Sequence, residues 1–162
     1  MQLDPIAEAH RHWTAHGWQD AADGMAAVTS LMRAHQIALA RVESVLRQHG
    51  VTFARYEVLM LLYFSRTGVL PMAKIGERLQ VHPTSVTNAV DRLQAAGLVR
   101  RVPHPDDRRS TVVELLDAGR QLAEAATADL NDQVFAAPWI SPPAVAHLIE
   151  SITEIRRRSG DF

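Results

Sequence analysis

Thr84, Ser85, Thr87, Asn88 and Arg92 fall within nine consecutive positions, on the side of their segment opposite Val86, Val90 and Leu93. Hydroxyl, amide and guanidinium groups in such a row can bond to base edges and phosphate oxygens in the major groove of DNA. Farther along, Arg108 and Arg109 are adjacent cations, suited to the backbone and to a narrow minor groove. The same residue types also make up ordinary solvated helix faces, so the elements that carry them decide the reading.

Residues 71–109 supply those elements. Pro71 can open a first helix, since a first-turn proline loses no helical hydrogen bond. Ile75 and Leu79 recur four apart on one apolar face. Residues 80–82 form the break. Pro83 opens a second helix in which Val86, Ala89, Val90 and Leu93 follow the helical period, and Gly97 supplies the left-handed residue that stops it. Residues 98–102 and 111–115 are β-branched or apolar runs, with Pro103, His104, Pro105, Asp106, Asp107, Arg108 and Arg109 as the hairpin loop between them. The pattern predicts a helix-turn-helix followed by a β wing that ends in two arginines.

Asp91-Arg92-Leu93, the run from Gly97 to Arg101, Asp107-Arg108-Arg109 and the stretch from Leu115 to Gly119 come in an order and spacing that resemble the MarR family of bacterial regulators. The likeness covers nearly the whole chain. It implies a mainly α fold with a small two- or three-stranded β wing, a winged helix-turn-helix flanked by dimerisation helices. Leu116 stands where that family often has a capping threonine, and Asp117 is expected to take over the cap.

The chain has 162 residues, 47% of them apolar, as expected of a single domain. Within it, 1–50 would carry N-terminal helices, 51–116 the winged helix and 117–162 C-terminal helices. The formal net charge is −1, so basic charge must be local. Residues 74–109 hold seven Lys or Arg against four Asp or Glu, a balance of +3. There is no cysteine, which excludes disulfides and thiol switches. With no apolar run of transmembrane length and no signal-like N-terminus, the expectation is a cytoplasmic protein without membrane contact.

Asp4-Pro5 predicts a capped helix over residues 5–16, ended by Gly17 and carrying Trp13. Residues 20–24 are expected to break the pattern. A long helix over 25–49 follows, terminated by Gly50, in which Met25, Val28, Met32, His35, Leu39, Val42 and Leu46 make one apolar seam that wants a partner helix. The next helix, over 51–66, has Thr52 as cap and Tyr56, Leu59, Leu62 and Tyr63 on its buried side. After the wing, an alanine-rich helix over 117–136 ends at Ala137-Pro138. Ser141-Pro142 then opens a last helix striped by Val145, Leu148, Ile149, Ile152 and Ile155. The seam and stripe exceed what a small winged helix can cover, which argues for a homodimer, the alternative being packing on their own domain.

Eight histidines raise a metal, with His10, His12 and His16 clustered on the first helix. Solvated or packed histidines are the commoner case, so no metal or other cofactor is expected. His35 in the seam reads as a core histidine or a pH-sensitive interface group. No G-x-G-x-x-G, G-x-S-x-G or H-E-x-x-H occurs, and an enzyme is not expected. Winged helices also serve as dimerisation modules of small-molecule methyltransferases, but the chain has no room for the Rossmann-like domain those carry.

Sequence-specific regulation of transcription is therefore the expected function. It implies double-stranded DNA with an inverted-repeat operator as partner, contacted through Pro83, Thr84, Ser85, Thr87, Asn88, Arg92, Arg108 and Arg109. The rival is a winged-helix interaction module that does not bind DNA. The first helix with Trp13 is also similar to the urate-responsive branch of the MarR family. That resemblance implies a repressor released by a small aromatic or anionic effector, with Trp13, Glu57 and Arg101 lining its pocket. Glu57 stands where that branch has aspartate, and Ala89 where it has arginine. The bland alternative is that Trp13 only packs the first helix and that Glu57 and Arg101 form an ordinary ion pair.

Overall fold

A computed structural model describes residues 3–104, 110–136 and 139–162. The chain divides into two compact units, residues 1–44 and 45–162. Helix α1 (Pro5–Ala15) starts as its sequence predicts: Asp4 accepts a hydrogen bond from the Ile6 N–H at 2.9 Å, and Pro5 occupies the first turn. Trp18 N–H bonds to Trp13 O at 3.0 Å across left-handed Gly17, closing α1. Helix α2 (Gln19–Leu46) follows directly.

The expected break over 20–24 is absent. Asp20 instead lies in the first turn of α2, where its charge complements the helix N-terminus, and Gly24 is carried inside the helix. One glycine costs a helix only about 1 kcal/mol, which 28 residues of helix absorb. The helix ends at Leu46, and a short 3-10 turn, Arg47–His49, leads to Gly50 at φ 70°. Of the seam, Val42 and Leu46 are buried, whereas Val28, Met32, His35 and Leu39 are exposed. His35 is thus not a core histidine in the isolated protomer.

In the second unit, Thr52 caps α3 (Phe53–Phe64) by accepting from Arg55 N–H. Its buried residues are Tyr56, Val58, Leu59 and Leu62. Tyr63 stays half-buried because its hydroxyl donates to Glu124 at 3.0 Å. Pro71 does not begin the next helix. It ends a three-residue strand, β1 (Val69–Pro71), and sits at the cap of α4 (Met72–Leu79). A proline suits that place because β1 lies at the sheet edge, where a missing donor is tolerated.

Helix α5 (Pro83–Ala95) is followed by β2 (Val99–Pro103) and β3 (Thr111–Leu115). The strands form one antiparallel sheet ordered β1-β3-β2, with Leu70 and Arg101 both opposite Val113. Ile75, Val86, Val90, Leu93, Val99 and Val113 close over Leu59 and Leu62 as the core of the winged helix.

Helix α6 (Asp117–Leu130) packs on α3 through Ala123, Ala126 and Leu130, the small residues permitting close approach. Asp117 does not cap it. Leu116 holds the cap position with no side-chain hydrogen bond, because Asp117 already lies inside the first turn, where its charge favours the helix N-terminus instead. A π-helical segment, Asn131–Phe135, continues α6, and the expected stop at Ala137-Pro138 lies outside the described residues. Helix α7 (Pro142–Arg158) begins after Ser141, whose side chain makes no capping bond, and it buries none of its residues. Leu148, Ile149 and Ile155 of its stripe are exposed. Among the described residues, no helix is long and apolar enough to cross a membrane.

Candidate nucleic-acid interface

Helix α5 sorts its residues by face. Val86, Val90 and Leu93 are buried, while Pro83, Thr84, Ser85, Thr87, Asn88 and Arg92 are all exposed. The helix start is held by a residue that the local pattern assigns to the break. His82 is the N-cap, its Nδ1 accepting from Thr84 N–H at 3.2 Å and lying 3.1 Å from the Thr84 hydroxyl. Its position directly before the first-turn Pro83 is the signal in the sequence. Thr87 donates its hydroxyl to Pro83 O at 3.1 Å. Ser85, Asn88 and Arg92 are exposed and make no side-chain hydrogen bond among the described residues.

The wing is tied to this helix. The Arg101 guanidinium pairs with Asp91 and donates to Thr87 O at 3.4 Å, while the Arg101 N–H donates to the Gln94 side chain at 3.2 Å. Strand β2 is thereby fastened to three successive turns of α5. Across the hairpin, Arg100 faces Glu114 and donates to it twice, at 2.6 and 3.0 Å. The Arg100 guanidinium holds the Glu114 carboxyl below its ordinary range. At the hairpin end, His104 N–H bonds to Ser110 O at 3.1 Å. Arg108 and Arg109, between these two in the sequence, fall outside the described residues.

The three effector-site residues have separate surroundings. Trp13, in the first unit, packs edge-on to Trp18 with ring centroids 5.3 Å apart. Arg101 is engaged with Asp91, so the simple Glu57–Arg101 ion pair does not form. Glu57 is half-buried with no ion-pair partner among the described residues, and burial raises its carboxyl above the ordinary 4.5. A raised carboxyl favours the protonated folded state, so its charge opposes folding increasingly as pH rises above the ordinary value. Glu57→Gln is therefore expected to raise the melting temperature at neutral pH, with the gain fading as pH falls to about 4. Thermal melts of both proteins between pH 4 and 8 check it, and a pH-independent difference would contradict it.

The clustered histidines of α1 are occupied locally. His10 lies 2.8 Å from Asp23, His12 lies 3.1 Å from Glu8, and His16 bonds to His12 O at 2.8 Å. Among the described residues, no three such groups converge on a metal position.

Comparison with known proteins places this architecture. Residues 49–110 match the profile of the MarR family. The structure of Sco5413, a MarR family transcriptional regulator from Streptomyces coelicolor, is 48% identical and superposes with a TM-score of 0.79, covering 86% of this chain and 97% of that one. The chain belongs to the MarR family of transcriptional regulators. The transcriptional repressor MdtR of Bacillus subtilis is 38% identical over 63 residues, which are 39% of this chain and 41% of MdtR. The chain spans less than half the length of the Bacillus subtilis relatives it matches. The fold is also shared with Sco3205 of Streptomyces coelicolor, solved in complex with DNA, at a TM-score of 0.71 and 23% identity over 86% of this chain and 87% of that one. These similar proteins are transcriptional regulators rather than enzymes.

Proposed function

We propose that the protein is a homodimeric, sequence-specific DNA-binding regulator, acting as a repressor. The observation that carries this reading is the α5 face, where Pro83, Thr84, Ser85, Thr87, Asn88 and Arg92 are exposed on a helix seated by Val86, Val90 and Leu93. In this reading α5 enters the major groove, and the wing brings Arg108 and Arg109 to the adjacent minor groove and backbone. The exposed apolar residues of α2 and α7, among them Met32 at 64% and Ile149 at 61%, are the surfaces on which a second copy packs. Two-fold symmetry then asks for an inverted repeat with half-sites about 10 base pairs apart. Selection of bound duplexes from a random pool, with mass measurement of the complex, is the test. Enrichment of an inverted repeat by a dimer is expected. Failure to enrich any sequence would turn the reading to a protein-interaction module.

Within that face, base choice belongs to the short groups near the helix start. Asn88→Ala should cost about 1–3 kcal/mol of binding and relax preference at one position in each half-site. Equal weakening on every sequence would make Asn88 a backbone contact instead.

Release of the operator is proposed to follow binding of a flat aromatic or anionic metabolite by Trp13, Glu57 and Arg101, as the likeness to the urate-responsive branch suggests. The half-buried Glu57, without an ion-pair partner among the described residues, supports this, and so does the double engagement of the Arg101 guanidinium. An anion that drew Arg101 from Asp91 would free β2 from α5 and disturb the reading helix. Titration of phenolic and purine-derived acids, followed by tryptophan fluorescence and operator release, tests it. Absence of any response, or a ligand whose affinity Glu57→Gln leaves intact, would remove this pocket.

A further inference from the structure

Helices α1, α4, α5 and α7 all end in the same closure, in which the N–H of the residue after a left-handed one bonds back five residues: Trp18 to Trp13 O, Val81 to Gly76 O, Leu98 to Leu93 O and Asp161 to Arg156 O. The closure needs a left-handed residue just after the helix. In three helices that residue is a glycine, Gly17, Gly97 or Gly160, and after α4 it is Gln80 at φ 54°. Gln80 is the only described non-glycine with positive φ, a conformation that a β-carbon disfavours. It stands at the turn of the helix-turn-helix, where glycine would relieve the backbone.

The Gln80 side chain makes a long-range contact. Its amide nitrogen donates to Asp161 O at 2.7 Å, reaching the segment 159–162 that follows α7. That carbonyl is itself held in place. Asp161 N–H bonds to Arg156 O at 3.0 Å, its carboxylate takes the Arg156 Nε–H, and the Arg156 guanidinium lies 4.9 Å from the centre of the Phe162 ring. Helix α7 buries none of its own residues, so this contact links it to the helix-turn-helix.

We propose that the segment 159–162 is a clasp on the turn between α4 and α5, with Gln80 as the positioning residue. The orientation of the reading helix then depends on where α7 is held. The consequence for DNA rests on the function proposed above, whereas the clasp itself does not.

The test uses two changes that leave net charge untouched. Gln80→Asn keeps an amide and tolerates the left-handed backbone, but is one methylene too short for Asp161. Gly160→Val places a β-branched residue at φ 69° and unseats the segment from its other side. Each is expected to speed amide hydrogen exchange at Val81, Thr84, Ser85 and Val86 and to weaken binding to the selected operator roughly three- to tenfold, as loss of one hydrogen bond would. The melting temperature of Gln80→Asn should hold or rise, which separates positioning from a loss of stability. The double variant should lose no more than either single one. Unchanged exchange at these amides, or losses that multiply in the double variant, would overturn the clasp. If the unaltered protein selects no DNA, the proposed function falls, and the exchange rates still decide the clasp.

Discussion

Gly119→Ala should destabilise the protein by about 3 kcal/mol or more, lowering its melting temperature by roughly 10 °C. Gly119 is buried in the first turn of α6, where a β-carbon would stand 2.1 Å from Leu98 O and 2.8 Å from Leu115 Cδ1. The first obstacle is backbone and cannot rotate away. It belongs to the residue joining α5 to β2, and Leu98 O also accepts the Leu116 N–H at 3.1 Å. Relief therefore requires α6 to withdraw, which breaks that bond and loosens Ala123, Ala126 and Leu130 against α3. Chemical denaturation of the variant checks the magnitude. A loss below about 1 kcal/mol would mean that α6 can shift without cost.

Arg108→Ala together with Arg109→Ala is expected to lower affinity for every DNA sequence, on the order of a hundredfold at physiological salt. The reason is electrostatic. The chain carries a formal charge of −1, so the proposed attraction to DNA must come from a few local cations. In the proposed dimer, two arginines per protomer would make four phosphate or minor-groove contacts, and removing them should reduce the salt slope of log K by about 3 to 4. Discrimination between operator and unrelated duplex should change little, since bonds to phosphate and sugar carry no base identity. Unchanged affinity and slope would remove the wing from the interface.

The parts of the fold that can be read in the sequence are those written in a single local period. Val86, Val90 and Leu93 mark the buried face of α5, Gly97 marks its end, and the β-branched runs on either side of Ser110 mark the hairpin. The parts that escape such a reading depend on residues far apart in the chain. Strand β1 is three residues long and exists because Leu70 meets Val113, a pairing that no local pattern announces. Arg101 reads as an effector residue from its likeness alone, because its bond to Asp91 spans two elements. Helix α2 runs through Gly24 because its neighbours stay helical, which a residue-by-residue reading of breakers misses. The exposed face of α5 is legible in full, being the complement of its buried face.

The uncovered apolar faces of α2 and α7 have a consequence for how the protein would respond to its own abundance. Where a second copy covers those faces and only the pair matches a two-fold site, operator occupancy at concentrations below dimerisation follows the square of the protomer concentration. Halving the number of molecules in a cell would then cut the binding-competent species about fourfold. Dilution at cell division would itself act as a signal, and a modest rise in synthesis would restore silencing more sharply than a monomeric reader could.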